Sequence, residues 1–318
     1  MKNKMLIGIS SIVVVLIIIV TVGSFYFYHV AIARASKDFL DESPDLQSSP
    51  EVEQSKDTSQ ADKEWWNNQH FDRWEMDSDD GIHLKGYYLA APVQSDKMVI
   101  IAHGYAGNAT QMSGYARMYY ERLGYNILLP DARGHGDSGG NYIGFGWPER
   151  KDYLKWIQRV LEANGEKTQV VLHGVSMGGA TVMMTSGEEL PPNVKAIVAD
   201  CGYTSVKDEL TFQLKRMYHL PAFPIVDTTS MLTKIRAGYT FNEASALEQV
   251  KKSVTPTLFI HGDSDTFVPT EMVHTLYENS PVEKELYIVP KAGHGEAFRM
   301  DPVKYESVVT EFVGKFIE

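Results

Sequence analysis

Residues 174–178 read Gly-Val-Ser-Met-Gly and match the pattern G-x-S-x-G. The apolar run Val170–Leu172 before them predicts a buried strand, and the small residues from Gly179 onward predict the start of a helix. A strand that turns sharply into a helix holds the serine at its tip, and the glycines leave room for neighbouring backbone. We therefore expect Ser176 to project above a sheet as a nucleophile, with a helix N-terminus that favours developing negative charge.

Cleavage of an acyl bond by a serine also requires a base, a group that orients the base, and donors for the oxyanion. Two further polar turns supply such groups, each directly after a short apolar strand. They are residues 261–269, HGDSDTFVP, and residues 290–295, PKAGHG. The resulting order along the chain, Ser176, Asp265, His294, is the order nucleophile, acid, histidine of one particular fold.

Five motifs carry a resemblance to a known superfamily: HGYAGN, DARGHGDS, GVSMGG, HGDSDTFVP and AGHG, in this order. Over about Phe71–Glu318 the chain resembles the α/β-hydrolases. It is most similar to capped bacterial esterases, monoacylglycerol-lipase-like hydrolases and prolyl-oligopeptidase-like enzymes. The resemblance implies that Ser176 is the nucleophile and His294 the general base. It implies Asp265 as the acid, because the family pattern D-x-x-V-P fits residues 265–269.

Two other aspartates compete with Asp265 for the role of the acid. Asp263 lies two residues earlier in the same turn, where capping the turn is its simpler role. Asp200 directly follows the predicted strand Val194–Ala199, and some relatives take the acid from the end of that strand. We favour Asp265 over both.

The resemblance also implies an oxyanion hole made of two backbone N–H groups, those of Tyr105 and Met177. By the same resemblance His103 and His135, in the motifs HGY and RGHG, brace backbone and do not transfer protons. The remaining strand-end histidines, His173 and His261, are expected to satisfy local hydrogen bonds. The side chains at 105 and 177 themselves are not expected to act.

The catalytic turns must be positioned by a sheet, and the strands that precede them alternate with helices. This alternation predicts an α/β fold with a mostly parallel sheet covered by helices on both faces, in which ligands bind at the carboxyl ends of strands. Between residues 201 and 250 the alternation stops, which predicts an inserted helical cap. Helices are predicted at Thr204–Tyr218 and Ala244–Gln249, with a break around Pro221–Pro224. Seven cap residues are candidates for the apolar walls of a pocket, and for most of them packing of the cap onto the domain is the favoured role: Met217, Tyr218, Phe223, Met231, Leu232, Tyr239 and Phe241.

A second strong signal is Met5–Tyr28, 24 residues without a charge. As a helix it would span roughly 36 Å, enough to cross a bilayer. Lys2 and Lys4 precede it and the aromatic residues 25–28 close it. A cleaved secretory signal, with residues 33–35 (Ala-Arg-Ala) as the cleavage site, is the alternative. We favour an uncleaved transmembrane anchor because the apolar run is longer than a signal core.

The predicted domain organisation is an anchor at 1–35, a polar linker at 36–63 and an α/β-hydrolase domain at 64–318 that contains the cap. Arg34 and Lys37 nearly balance the two lysines at the N-terminus, so charge alone sets the orientation weakly. The short N-terminal tail favours an inside N-terminus. We therefore expect a single-pass protein of the cell membrane with its hydrolase domain on the extracytoplasmic side.

Composition excludes several classes of partner. The chain has 318 residues with 30 basic and 41 acidic side chains, a net charge of -11, and no basic face that would indicate nucleic acid. The single Cys201 excludes an intramolecular disulfide and a cysteine-based zinc site. No spaced set of His, Asp and Glu residues indicates a metal, and HGYAGN lacks the G-K-[ST] of a phosphate loop. We expect neither metal nor cofactor.

The sequence thus predicts a membrane-anchored serine hydrolase that cleaves small-molecule or lipid carboxylic esters through an acyl-enzyme. A serine peptidase of the prolyl-oligopeptidase-like kind is the first alternative, since HGDSDTFVP fits those enzymes too. No propeller domain is expected before the hydrolase domain, and no acidic pair for a substrate amino terminus is identifiable. An acyltransferase acting on envelope lipids is a further alternative. A non-catalytic binding module is disfavoured because no triad position is missing.

Overall fold

The computed structural model describes residues 2–41, 43, 46 and 56–318. Within them an eight-stranded sheet has the order β1-β2-β4-β3-β5-β6-β7-β8. The strands are β1 Asp72–Asp77, β2 His83–Leu89, β3 Lys97–Ala102, β4 Asn126–Pro130, β5 Gln169–Val175, β6 Val194–Asp200, β7 Thr257–Gly262 and β8 Lys284–Val289. Strands β1 and β2, and β2 and β4, pair antiparallel, and the pairs from β4–β3 to β7–β8 are parallel. The predicted mostly parallel α/β-hydrolase sheet is confirmed.

Helices account for most of the remaining described chain. They are α1 Lys2–Phe27, α2 Asp38–Asp41, α3 Lys56–Asn67, α4 Ser113–Arg117, α5 Glu149–Asn164, α6 Met177–Ser186, α7 Val206–Tyr218, α8 Ile225–Ala237, α9 Ala246–Val250, α10 Glu271–Asn279, α11 Ala297–Met300 and α12 Pro302–Val313. Residues 109–122 form three short helical pieces. A 3-10 turn at Ala109–Met112 precedes α4 and a π-helical turn at Met118–Arg122 follows it.

Two apolar layers lie on opposite faces of the sheet, because successive side chains of a strand point to opposite sides. Ile100 and Leu172 pack with the buried faces of α5, α6 and α10. Val99, Ile101 and Val171 pack on the other face with α3, α4 and α12. Since both faces are covered, the carboxyl edge of the parallel strands is the place where polar loops can converge.

The cap follows β6 and contains three helices, α7, α8 and α9. The prediction found the first and the last of these and missed α8, whose sequence IVDTTSMLTKIRA shows little apolar periodicity. Helix α8 packs against α1, and Ser24 Oγ donates a hydrogen bond of 2.6 Å to Thr228 Oγ1. A helix of this kind is stabilised by tertiary contacts, which local sequence does not report.

Helix α1 continues beyond its predicted end as a π-helical turn, Tyr28–Ile32. Among the described residues one helical stretch is long and apolar enough to cross a membrane, Val13–Ile32. Of the predicted linker, residues 42, 44–45 and 47–55 lie outside the described residues. Helix α3 begins at Lys56, inside the predicted linker, and is packed onto the domain by the buried Trp65.

Candidate active site

Ser176 lies between β5 and α6, at the turn that the sequence predicted. Its backbone has φ 58° and ψ −117°, a conformation that non-glycine residues rarely adopt and that local packing must enforce. An added Cβ at Gly174 would lie 2.0 Å from the carbonyl oxygen of Gly178, and one at Gly178 would lie 2.0 Å from that of Ala102. Both glycines are therefore required by close backbone approach, and the serine is fixed at the tip of the turn.

Three side chains that are far apart in sequence form one hydrogen-bonded row. His294 Nε2 lies 2.8 Å from Ser176 Oγ, and His294 Nδ1 lies 2.8 Å from Asp265 Oδ2. If Nδ1 carries the proton toward the carboxylate, Nε2 is left as the acceptor for the serine hydroxyl. The three residues are contributed by the turns after β5, β7 and β8, which lie side by side at the carboxyl edge. This is the geometry that serine activation needs.

Asp265 is held as a carboxylate by several donors. Its Oδ1 accepts hydrogen bonds from the backbone N–H groups of Phe267 and Val268, at 2.9 and 2.8 Å. Burial alone would raise the pKa of Asp265, but the imidazoles of His294 and His261 outweigh it and hold the pKa below its ordinary value. A carboxylate of this kind can orient an imidazole and stabilise its protonated form.

The contact between His261 and Asp265 is one that sequence reasoning missed. His261 Nε2 lies 3.2 Å from Asp265 Oδ2 and donates a 2.9 Å hydrogen bond to the carbonyl of Val268. The side chains of both residues are fully buried. The spacing of four residues between His261 and Asp265 in HGDSD was a signal that the two side chains could meet. Only the fold of the turn shows that the imidazole ring faces the carboxylate.

The two rival aspartates do not contact His294 in the structure. Asp263 is exposed and accepts hydrogen bonds from the backbone N–H of Lys291 at 2.6 Å and from Ser264 Oγ at 2.8 Å. Asp200 is fully buried and accepts a 2.9 Å hydrogen bond from Tyr305 Oη. Burial raises the pKa of Asp200 to about 6. Both carboxylates have structural partners, as is typical of buried or turn-capping groups.

The predicted oxyanion donors flank Ser176. Met177 is the first residue of α6, where backbone N–H groups have no partner within the helix. The Tyr105 loop follows β3 and lies against the serine, since an added Cβ at Gly104 would be 3.5 Å from Ser176 Cβ. His103 accepts from Ala132 N–H through Nε2 at 3.0 Å, so its Nδ1 donates to the carbonyl of Gly104 at 2.8 Å.

The remaining conspicuous histidines bond to backbone or to phenols. His135 Nε2 accepts from the N–H of Ala106 at 3.2 Å, which also braces the Tyr105 loop. His173 is fully buried between Tyr119 Oη and Tyr305 Oη, each at 3.1 Å, and burial lowers its pKa to about 3. Among the described residues, one cluster could offer three ligand atoms to a metal: Cys201, Asp265 and His294. Two of its members already belong to the hydrogen-bonded row.

Ser176 opens on a pocket whose walls are almost entirely apolar. The cap contributes Leu210, Leu214, Met217, Tyr218, Ile225, Val226 and Phe241, and the hydrolase core contributes Tyr105, Phe145, Phe267 and Val268. Of the seven predicted wall residues, Met217, Tyr218 and Phe241 line this pocket. The expectation for Phe223 and Met231 was wrong, because they lie on the outer surface of the cap, 76% and 66% exposed. Leu232 and Tyr239 belong to the packing of the cap onto the core.

A carboxyl group lines the apolar pocket, and the sequence did not single it out. Glu209 on α7 is 4% exposed and accepts a 2.7 Å hydrogen bond from Gln213 through Oε1. Its Oε2 has no hydrogen-bond partner among the described residues. Burial raises the pKa of Glu209 to about 8, so the carboxyl is largely protonated at neutral pH.

Comparison with known proteins identifies the family. The profile of the prolyl oligopeptidase family matches residues 110–317. The chain belongs to the prolyl oligopeptidase family. It is 30% identical over 233 residues to the uncharacterized protein YqkD of Bacillus subtilis, a match that covers 73% of this chain and 76% of the relative. As a member of this family with the geometry described above, the chain is a serine hydrolase.

Solved structures share the fold of this prolyl oligopeptidase family member. The Pyrococcus furiosus esterase Pf2001 is 25% identical with a TM-score of 0.64, and the match covers 78% of this chain and 94% of that one. The Pyrococcus horikoshii acylaminoacyl peptidase is 18% identical with a TM-score of 0.56, and the match covers 78% of this chain and 42% of the peptidase chain. The α/β-hydrolase fold is therefore shared with both an esterase and a peptidase.

Proposed function

We propose that this family member is a membrane-anchored carboxylesterase in which Ser176, His294 and Asp265 form the catalytic triad. The observation that carries the proposal is the hydrogen-bonded row of these three side chains at the mouth of an apolar pocket. A pocket lined mainly by apolar side chains suits an acyl chain, whereas a peptide would present several backbone groups that need partners. The resemblance to the Pf2001 esterase supports the same reaction.

In the proposed mechanism Ser176 Oγ attacks the ester carbonyl as His294 Nε2 takes its proton. The oxyanion that forms accepts hydrogen bonds from the backbone N–H groups of Met177 and Tyr105. Asp265 stabilises the imidazolium, which then gives its proton to the departing alcohol and leaves the acyl group on Ser176. Water attacks this acyl-enzyme with the same base, and the carboxylic acid leaves as the serine hydroxyl is restored.

Labelling and hydrolysis by the full chain in detergent test this proposal. We expect the wild type to react with a fluorophosphonate probe and to hydrolyse p-nitrophenyl acetate and butyrate. In Ser176→Ala we expect no labelling and an ester hydrolysis rate lower by about 10⁴-fold or more. Ser264→Ala is the matched control, because Ser264 Oγ bonds to Asp263 in the neighbouring turn. Equal labelling of the wild type and Ser176→Ala would refute the proposal.

A peptidase is the second candidate, and the family match favours it specifically. Esters and amides are cleaved through the same acyl-enzyme, so the triad does not separate the two activities. The rates of hydrolysis of p-nitrophenyl esters and of aminoacyl and prolyl p-nitroanilides, measured side by side, separate the two activities. We expect ester hydrolysis to exceed anilide hydrolysis by far more than the difference in intrinsic reactivity, and prolyl anilides cleaved as well as esters would favour the peptidase.

We further propose that residues 1–35 are retained as a single-pass anchor of the cell membrane, with residues 64–318 as the hydrolase domain on the extracytoplasmic side. The side chains from Val13 to Ile19 are about half exposed, as a lipid-facing surface would be. A signal peptidase cut after Ala35 would remove contacts such as Ser24 with Thr228. Protease digestion tests the orientation. We expect the hydrolase domain to be protected from an added protease in sealed inverted vesicles and to be digested in right-side-out spheroplasts.

A further inference from the structure

We propose that the end of helix α1 and the turn after it, residues 27–31, form a wall of the acyl pocket. The substrate would then be a long-chain acyl ester that enters from the bilayer holding α1. This inference rests on the proposed esterase function and deepens it. It makes the anchor a determinant of specificity as well as of location.

The pocket beside Ser176 has walls from three parts of the chain. Besides the cap and the hydrolase core, the N-terminal segment contributes Phe27, Val30, Ala31 and Phe39. Phe27 packs edge-on against Tyr218 of the cap, with ring centroids 4.9 Å apart. Because four side-chain positions of the N-terminal segment face the same pocket as the nucleophile, the chain of a bound ester would contact the anchor itself.

This wall is held in place by a set of directed hydrogen bonds. Tyr105 Oη donates to the carbonyl of Ala31 at 2.8 Å, and the N–H of Ile143 donates to the carbonyl of Ile32 at 2.7 Å. The buried Lys37 ammonium donates to the carbonyls of Val30 and Ala33 at 2.6 and 2.8 Å. These bonds satisfy the carbonyl groups that a helix C-terminus leaves without partners.

A second contact ties the segment to the loop after β4. The Arg34 guanidinium donates to the carbonyls of Ser138 and Gly136 at 2.6 and 2.7 Å, and Ala33 pairs with Tyr142 as an isolated antiparallel bridge. Together with the bond between Ser24 and Thr228, these contacts fix the segment to core and cap alike. The segment is thus an integral part of the pocket, and a flexible tether would make no such set of bonds.

The surface next to this wall is apolar on both the anchor and the cap. Exposed apolar side chains among the described ones of α1 include Val13, Val14, Val15, Leu16, Ile17, Ile18, Ile19, Val22 and Phe25. On the cap, Met231 and Ile235 of α8 are 66% and 81% exposed, and Phe223 just before it is 76% exposed. Helix α8 packs directly on α1. Exposed apolar side chains on two elements that pack together mark a membrane contact, so the cap would rest on the bilayer that α1 crosses.

Delivery from this bilayer has a clear physical advantage. Each methylene that must pass from lipid into water lowers the equilibrium population about fourfold. A palmitoyl chain that moves from lipid into an apolar pocket through a lipid-facing entrance avoids that passage. Short acyl chains gain little from it, so the contribution of the wall should grow with chain length.

A photoreactive inhibitor tests the contact in the unmodified full chain, reconstituted in phosphatidylcholine vesicles. The probe is a hexadecyl fluorophosphonate with a diazirine near the far end of its alkyl chain. Ser176 displaces fluoride and forms the P–O bond, and irradiation then attaches the chain to the residues it touches. We expect peptides that contain residues 27–39 among the crosslinked products. Labelling of Ser176 with crosslinks confined to the cap would overturn the inference, whereas absence of any labelling would contradict the proposed function instead.

Pocket-filling variants give an independent readout with 4-methylumbelliferyl esters from acetate to palmitate. We expect Ala31→Phe to lower kcat/KM for laurate and palmitate at least tenfold more than it lowers kcat/KM for acetate. Val22→Phe, a change at a 63% exposed position of the same helix, is the matched control and should leave the profile unchanged. Loss of acetate hydrolysis in Ala31→Phe would indicate misfolding. The same series of esters would then be measured with Val30→Phe in its place. An unaltered chain-length profile in the variant that folds would overturn the inference.

The mass of the intact chain purified from membranes provides the last criterion. We expect it to include residues 1–35, because the wall belongs to the active protein. A mass that corresponds to cleavage after Ala35 would overturn the inference, even if Ser176 still reacts with the short-chain probe.

Discussion

His261 Nε2 lies 3.2 Å from Asp265 Oδ2, the same carboxylate oxygen that contacts His294. The carboxylate is therefore clamped between two imidazoles, of which one faces the serine and the other is fully buried. A buried donor on the far side restricts the carboxylate to one orientation, and in the proposed triad that orientation sets the position of the base. His261 is in this sense a positioning residue.

Loss of the His261 donor should slow turnover without weakening substrate binding. In His261→Met we expect kcat for p-nitrophenyl butyrate to fall about 10-fold, with KM within about twofold, because a misplaced base affects the transition state. His261→Gln keeps an N–H near the position of Nε2 and should recover most of kcat. Steady-state kinetics of the full chain in detergent measures both, and a loss in KM alone would contradict a positioning role.

Substitution of the two neighbouring aspartates should separate the proposed acid from its rival. Asp265→Asn should lower kcat by about 10⁴-fold, because an amide no longer selects the productive tautomer of His294. Asp263→Asn keeps a carbonyl oxygen as acceptor for the N–H of Lys291 and should stay within about threefold of the wild type. Equal losses in the two variants would refute the assignment of Asp265.

A buried ion pair in the loop after β4 should matter for stability far more than an exposed one. Arg133 is 3% exposed and binds Asp152 through two hydrogen bonds of 2.8 and 2.7 Å. Arg133→Met leaves the buried carboxylate unpaired and should cost about 3–5 kcal/mol. Arg73→Met, which removes an exposed pair with Asp137, should cost at most about 1 kcal/mol. Thermal unfolding of the full chain in detergent gives the comparison, and similar shifts in Tm would contradict it.

Glu209 should make the stability of the protein depend on pH. Burial raises its pKa in the folded chain to about 8, above the ordinary value of about 4.3 in the unfolded chain. Between these values the folded chain holds a proton that the unfolded chain has released, so the contribution to stability falls by about 1.4 kcal/mol per pH unit as pH rises from about 4 to 8. Above pH 8 it no longer changes.

Glu209→Gln mimics the protonated carboxyl at every pH and should remove this decline. We expect the variant and the wild type to have similar Tm values near pH 4.5 and the variant to be more stable at pH 8. Glu248→Gln, at an exposed position of α9, should show no such divergence. Parallel Tm profiles of the wild type and Glu209→Gln would show that the carboxyl is charged when buried.

Much of the core and of the candidate site could be predicted from local sequence. The turn at Ser176 was recognisable because two glycines and a serine must stand at fixed spacing where a strand meets a helix. The fold followed from the alternation of strands and helices, which reports the two-sided burial of a parallel sheet. Helix α8 was missed because its residues are polar and β-branched, and its stability comes from packing on α1.

The sequence by itself determined which residue types end the strands, and therefore the nucleophile, base and acid as candidates in their order. Only the tertiary structure decided that His261 and His294 contact the same carboxylate oxygen of Asp265, that Asp200 bonds to Tyr305, and that Phe27, Val30 and Ala31 line the pocket of Ser176. Local pattern is set by interactions between neighbours in the chain. A pocket is built from segments more than a hundred residues apart, and its walls depend on the order of strands in the sheet and on which apolar faces remain to be paired.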